Sequence, residues 1–283
     1  MTLKLEIEPL DLAQTLGCGQ TFRWRACEDG SWIGPLDRQL ITLRKIGGTL
    51  LVDATPGGRE VRRLVETHLR KDDDVREIMD SLRRDPVLAR GLDSYSGLRI
   101  VKLDEWECLC SFALATYANI PRISGMIETL ALKFGEPIAN GINAFPTLER
   151  VRSAPLAKLS SCGLGYRADY IHKMTRMLDD DAIARLKGLG YDDLREALLE
   201  LPGVGDKVAD CVALFGFGKL EAFPIDVWMM RALKRLYNRT GNYRKLRAFA
   251  QGKFGPYAGY AQEYLYYNER AHAPGGTCSF TSR

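Results

Sequence analysis

The sequence is poor in the residues that build metal and disulfide sites. Among 283 residues there are three histidines, His68, His172 and His272, spaced too widely to read as a zinc set. The seven cysteines (Cys18, Cys27, Cys108, Cys110, Cys162, Cys211 and Cys278) form no CxxC pair, and their number is odd. That argues against a disulfide framework and against an iron–sulfur cluster, which needs four clustered cysteines. No stretch approaches the roughly 20 apolar residues of a membrane helix, and Met1–Glu6 lacks the apolar core of a secretory signal. Internal repeats and low-complexity linkers are also missing. The expectation is a reduced, intracellular protein with no cofactor and no membrane partner.

What is present is an ordinary globular composition, 46% hydrophobic, enough for a sizeable core. The net charge of +4 is unevenly placed. Residues 203–283 hold 12 Lys+Arg and 6 Asp+Glu, a balance of +6, so the first 202 residues carry −2. Between Val227 and Ala250 there are seven basic residues (Arg231, Lys234, Arg235, Arg239, Arg244, Lys245 and Arg247) and no acid. A solvated helix face would account for such a run in an arbitrary protein; its position just after Lys207 and Asp226 favours a surface facing a polyanion.

Residues 1 to about 103 read as β-rich. Ser31–Gly34, Gln39–Leu43 and Gly48–Val52 are short strand candidates separated by Gly/Asp turns, with helices expected at about 58–70 and from Asp72. Asp104-Glu105-Trp106-Glu107 opens a helix with an N-cap and early acids, and helices alternate with Gly/Pro turns from there on. The glycine-rich end from Pro274 onward reads as frayed.

The densest signal is Leu201-Pro202-Gly203-Val204-Gly205-Asp206-Lys207 between two amphipathic helices, with Phe223-Pro224-Ile225-Asp226-Val227 following. The glycines of this helix-hairpin-helix permit backbone angles that a β-carbon resists and a close approach by another molecule. Backbone N–H groups at a helix start favour an anion such as phosphate. Lys207 and Asp226 then suggest an amine nucleophile beside an acid. A neutral amine can attack a nucleotide's C1′, displace the base and form an imine that permits β-elimination. Burial would favour the neutral amine and a nearby carboxylate the ammonium. Asp226 is also placed to cap the helix from Val227.

At these residues the chain resembles the helix-hairpin-helix DNA glycosylases, and within them the 8-oxoguanine DNA glycosylase/lyases with an N-terminal β domain. The likeness extends over Gly19–Arg25, Asn119–Met126, Leu164–Tyr170 and Gly255–Gln262. It implies an α+β fold: an N-terminal antiparallel β domain (1–103), an all-α helix-hairpin-helix glycosylase core (104–270) in one or two helical subdomains, and a C-terminal tail (271–283). It implies a monomer that binds duplex DNA carrying 8-oxoguanine, and abasic-site DNA. Lys207 would be the nucleophile and Asp226 its acidic partner. Gly19 would offer the carbonyl that detects the N7 hydrogen of 8-oxoguanine, Gln262 would bond the base's Watson–Crick edge, and Tyr266 and Cys211 would flank its faces. Arg122 and Arg167 would bond the orphaned cytosine, Tyr166 would wedge into the duplex, and Asn119, Gly203, Val204 and Gly205 would contact DNA. The carbonyls of Leu199, Leu201 and Val204 would suit a bridging cation; no side-chain metal site follows.

Three departures from the family pattern stand out. Tyr117 occupies the place of an asparagine that fills the gap left by the flipped base, which implies weaker selectivity for the opposite base. Trp228 replaces a histidine. The short Tyr237–Leu246 segment points to a prokaryotic or archaeal cytoplasmic protein over a nuclear one. Two alternatives stay open on the residues: a related glycosylase for another damaged base, and a non-catalytic helix-hairpin-helix DNA-binding module.

Overall fold

The computed structural model describes residues 2–272. The expected tail lies outside the described residues except for 271–272, which continue the last helix. The N-terminal sheet has five antiparallel strands, β1 (Leu3–Glu6), β2 (Arg25–Ala26), β3 (Trp32–Leu36), β4 (Gln39–Ile46) and β5 (Thr49–Thr55), in the order β1-β5-β4-β3-β2. The tight connections pair Leu36 with Gln39 and Ile46 with Thr49, and this sets the register of the three longest strands. Helix α1 (Leu12–Leu16) follows β1, and α2 (Val61–His68) and α3 (Val75–Leu82) follow the sheet.

The helical part comprises α4 (Glu105–Leu114), α5 (Ile120–Phe134), α6 (Leu148–Arg152), α7 (Leu156–Leu159), α8 (Arg167–Met177), α9 (Asp180–Lys187), α10 (Tyr191–Leu199), α11 (Asp206–Cys211), α12 (Val227–Tyr237), α13 (Tyr243–Phe254) and α14 (Ala258–His272). It is not wholly α. A small hairpin, β6 (Pro137–Ala139) and β7 (Ile142–Asn143), follows α5. Its turn residues Asn140 and Gly141 both have positive φ, as a tight hairpin requires.

Short polar side chains start these helices as the sequence suggests. Asp104 accepts from Glu107 N at 2.9 Å, Asn119 from Arg122 N at 3.0 Å and Asp226 from Met229 N at 2.8 Å, each supplying an acceptor to an otherwise unpaired N–H. Helix α4 is buried on every side, from Trp106 through Leu114 except for Glu107, so it forms the centre of the helical part.

One apolar core runs from Leu5 in the sheet to Leu265 in α14. Arg99 is fully buried within it and donates to the carbonyls of Leu69 (2.8 Å), Pro9 (3.1 Å) and Asp73 (3.0 Å). A buried guanidinium is tolerated because its donors meet acceptors. Gln20 is similarly locked: Nε2 donates to Thr15 O (2.9 Å) and Arg99 O (2.7 Å), and Oε1 accepts from Val101 N (2.9 Å). The residue before it, Gly19, is thereby held on a stiff loop.

Candidate active site

The two ends of the chain meet at one small cavity. Gly19, Phe112, Lys207, Cys211, Phe215, Pro224, Asp226, Gln262, Glu263 and Tyr266 line about 50 Å³ of space. All six residues expected to form the catalytic and base-reading site are therefore brought together.

Lys207 lies in the first turn of α11, with Nζ 5.0 Å from the Phe112 ring centroid. That ring stacks on Phe215 at 5.4 Å, so the ammonium rests on an aromatic floor. Burial pulls the lysine toward the neutral amine. Cys211 and then Asp226 oppose it, with Glu263 adding a smaller push, and the net direction is up. The Cys211 thiol is itself driven up to about 12 by burial, so it stands as a neutral thiol at neutral pH. The carboxylates are then the groups that keep Lys207 charged in this resting pocket.

A buried polar network holds the lysine's helix against the segment carrying Asp226. Asp210, three residues after Lys207, accepts from Tyr191 (2.6 Å), Tyr243 (2.5 Å) and Arg195 Nε (3.2 Å). The Tyr243 hydroxyl in turn accepts from Ile225 N at 3.2 Å. Helices α10, α11 and α13 and the residue before Asp226 are thus tied to one carboxylate.

On the opposite wall, Gly19 has φ +104, and a β-carbon there would lie 3.2 Å from Arg270 Nη1 and 3.3 Å from Ile120 Cδ1. Arg270 donates to Cys18 O at 2.6 Å and lies over the Tyr266 ring at 5.5 Å. Gln262 is buried and its Oε1 has no partner among the described residues, an acceptor awaiting a donor.

In the hairpin, Gly203 has φ +80, and a β-carbon would lie 2.6 Å from the Tyr170 ring. Gly205 is extended with nothing within 4 Å of an added β-carbon. Of the three hairpin N–H groups expected at DNA, that of Val204 is engaged internally, donating to Leu201 O at 3.1 Å. The N–H groups of Gly203 and Gly205 make no such bond among the described residues. Among the described residues no three His, Cys, Asp or Glu side chains gather as a metal set. The candidate cation carbonyls are those of Leu199, Leu201 and Val204, and Leu201 O retains a lone pair beyond its bond to Val204.

The residues expected to read the opposite strand behave unequally. Tyr117 is 95% exposed and left-handed at φ 52. Arg122 and Tyr166 are exposed. The Asn119 side chain is engaged as the α5 cap. Arg167 is buried: Nε donates to Thr116 O at 3.1 Å, Nη2 donates to the same carbonyl, and the guanidinium lies 4.5 Å from the Tyr166 ring centroid. In this state Arg167 braces the Thr116–Tyr117 loop rather than presenting free donors. Tyr166 packs edge-on against Tyr170 at 5.7 Å, which joins this loop to the Gly203 turn.

Sequence reasoning passed over Phe112, Phe215, Pro224 and Glu263. The aromatics resemble any core residue in an apolar helix. Glu263 carried a usable signal, an acid between apolar Ala261 and Tyr264-Leu265 on one helix.

With this geometry the chain was compared with known proteins. Residues 2–109 match the model for the 8-oxoguanine DNA glycosylase N-terminal domain, and residues 112–256 the model for HhH-GPD superfamily base excision DNA repair proteins. The chain belongs to the HhH-GPD superfamily and carries the 8-oxoguanine DNA glycosylase N-terminal domain ahead of that core. It is 32% identical to a probable N-glycosylase/DNA lyase of Methanothermobacter thermautotrophicus, over 95% of this chain and 96% of that relative. It is 31% identical to the N-glycosylase/DNA lyase of Saccharomyces cerevisiae, over 99% and 88%. Its fold overlays the Clostridium acetobutylicum 8-oxoguanine glycosylase/lyase, solved with double-stranded DNA containing cytosine opposite 8-oxoG. The TM-score is 0.87 at 30% identity, covering 96% of this chain and 98% of that one.

Proposed function

We infer that this protein is an N-glycosylase/DNA lyase of base excision repair that removes 8-oxoguanine from duplex DNA and nicks the abasic site. The observation that carries the reading is the single cavity in which Lys207 and Asp226 meet Gly19, Cys211, Gln262 and Tyr266. A non-catalytic DNA-binding module has no use for such a constellation.

In the proposed reaction, Lys207 attacks C1′ of the flipped nucleotide and displaces the base. The imine that forms acidifies the 2′ hydrogen and permits elimination of the 3′ phosphate. Asp226 stabilises positive charge on the sugar as the base departs. The Gly19 carbonyl accepts the N7 hydrogen that distinguishes 8-oxoguanine from guanine, and Gln262 pairs with the Watson–Crick edge between Cys211 and Tyr266. The cavity is small, about 50 Å³, and partly open to solvent. Tyr266, half-buried, lines the pocket as the aromatic that stacks on the base.

Outside the pocket, Gly203 and Gly205 offer N–H groups to a phosphate, Tyr166 wedges into the duplex, and Arg122 reaches cytosine opposite the lesion. Arg167 joins it only by leaving Thr116. Tyr117 fills the gap by stacking but lacks an amide's hydrogen bonds, so the preference for cytosine is shallower than an asparagine would give. The protein acts as a monomer on 8-oxoguanine and abasic-site DNA, in the cytoplasm of a prokaryotic or archaeal cell.

The test is borohydride trapping on duplexes carrying 8-oxoguanine opposite each base. Wild type yields a covalent adduct and Lys207→Gln yields none. An undiminished adduct from Lys207→Gln ends the lysine mechanism, and trapping on an oxidised pyrimidine but not on 8-oxoguanine ends the substrate assignment.

A further inference from the structure

The pocket contains one charged group for which the reaction above has no task. Glu263 follows Gln262 on α14, is 4% exposed, and lines the cavity with Lys207 and Asp226. A carboxylate this deep is ordinarily ion-paired, yet none of the ion pairs among the described residues includes Glu263. It takes a hydrogen bond from the Cys18 thiol to Oε2 at 3.5 Å. No bond among the described residues goes to Oε1.

We propose that Glu263 is the proton acceptor for Lys207, the group that converts the resting ammonium into the attacking amine. No Lys207–Glu263 ion pair stands within 4.0 Å among the described residues, so one water relays the proton. An N–H bond of the ammonium breaks with its electron pair left on Nζ, and the water takes that proton while giving one of its own to the Glu263 carboxylate. The neutral amine then attacks C1′. This rests on Lys207 being the nucleophile.

Two observations favour Glu263 over Asp226 for this step. Asp226 Oδ1 is engaged by Met229 N at 2.8 Å as the cap of α12, and a proton on that carboxyl would weaken the cap. The Asp226 charge is better kept for the sugar. Burial drives Glu263 up, the Cys18 bond opposes it, Asp226 pushes up again, and Arg270 and Lys207 pull down. The balance is about 7, the range that suits a base working near neutrality. The titratable and charged groups around it are therefore Cys18 on the N-terminal loop, Asp226 ahead of α12, Lys207 on α11 and Arg270 on its own helix. Tyr266, also on α14, is pushed up by burial, with Glu263 among the smaller contributors. A base entering the pocket expels water, which penalises ammonium and carboxylate alike and drives the pair toward its neutral form.

The competing role is structural: Glu263 would simply anchor Cys18, whose carbonyl Arg270 already holds. The two roles separate by pH. Single-turnover cleavage of an 8-oxoguanine duplex is followed from pH 6 to 10 for wild type, Glu263→Gln and Glu263→Asp. Affinity for an undamaged duplex and the melting temperature are recorded beside it. The wild-type rate should fall as pH drops through about 7 and level off above. Glu263→Gln should lose about 100-fold near pH 7, keep its duplex affinity, and recover steadily toward pH 10 as hydroxide replaces the carboxylate. Glu263→Asp should retain the levelled profile with a smaller loss, and it carries the test if Glu263→Gln does not fold. A loss of equal size at every pH, or a full rate for Glu263→Gln at pH 7, overturns the proposal. No trapped adduct from wild type overturns the lysine reading and this proposal with it.

Discussion

The proposed catalytic pocket and the exposed loop around Tyr117 are built on opposite plans. In the pocket the walls are buried, while Lys207, Asp226, Gly19 and Tyr266 are partly exposed but braced by their neighbours. Lys207 rests on Phe112, Asp226 caps α12, and Cys18, Glu263 and Arg270 tie the Gly19 loop to α14. On the loop, Tyr117 projects almost completely into solvent from a left-handed residue, and the arginine beneath it is turned inward onto Thr116. Chemistry that depends on charge needs dipoles fixed in advance. Reading an opposite strand needs groups that acquire their partners only when DNA arrives. On the proposed roles, catalysis draws on groups already in place and discrimination between opposite bases is completed when DNA binds.

The comparison breaks most severely at Asp210. Removing this carboxylate leaves Arg195 and two tyrosines without their buried partner, and a broken buried pair costs about 3–5 kcal/mol. Asp210→Ala should lower unfolding stability by that order in urea and reduce adduct trapping, although Asp210 itself lines no part of the pocket. Stability and trapping equal to wild type would show that Lys207 and Asp226 are held by packing alone.

Smaller effects belong to the loop. Arg122→Ala should reduce the preference for cytosine over adenine by about 10-fold, within the roughly 1–3 kcal/mol of one base contact, while leaving the melting temperature unchanged. Tyr117→Asn should move the preference the other way by a few-fold, since an amide restores hydrogen-bonding groups. Both are measured as ratios of single-turnover rates on duplexes that differ only in the opposite base. A parallel loss of rate on all four opposite bases would reassign these residues to general DNA binding.

The smallest effect is on stability against pH. Burial drives Glu107 up to about 7, against the pull of Arg23, and Glu263 behaves alike. A carboxyl raised in the folded state contributes stability that is complete below its unfolded value near 4.5 and is lost as pH rises through about 7. The melting temperature should therefore fall by a few degrees between pH 5 and pH 8. Glu107→Gln should flatten that slope without altering cleavage, whereas Glu263→Gln should alter both.

Much of this was legible in the chain, and unevenly so. The hairpin was, because Gly203 answers to a local demand: positive φ and a neighbour that excludes a β-carbon. The caps at Asp104 and Asp226 were, because they act within one helical turn. The β6–β7 hairpin was not, since two- and three-residue strands leave almost no periodic trace. Arg167 reads as a DNA contact in the sequence and as a brace in the fold, because an arginine's direction depends on which carbonyls its neighbours leave unpaired. Phe112 and Glu263 were passed over for the same kind of reason: their significance lies in what comes to face them from residues far along the chain.

By itself, then, the sequence determined the local chemistry: a glycine hairpin, a lysine at a helix start, a capping aspartate and a glutamine with a tyrosine one turn on. Each is set by interactions within a few residues. Tertiary structure alone decided that Gly19 and Gln262 line one cavity of about 50 Å³ and that a second carboxylate lines it together with the lysine. Those facts depend on how distant segments pack around one core.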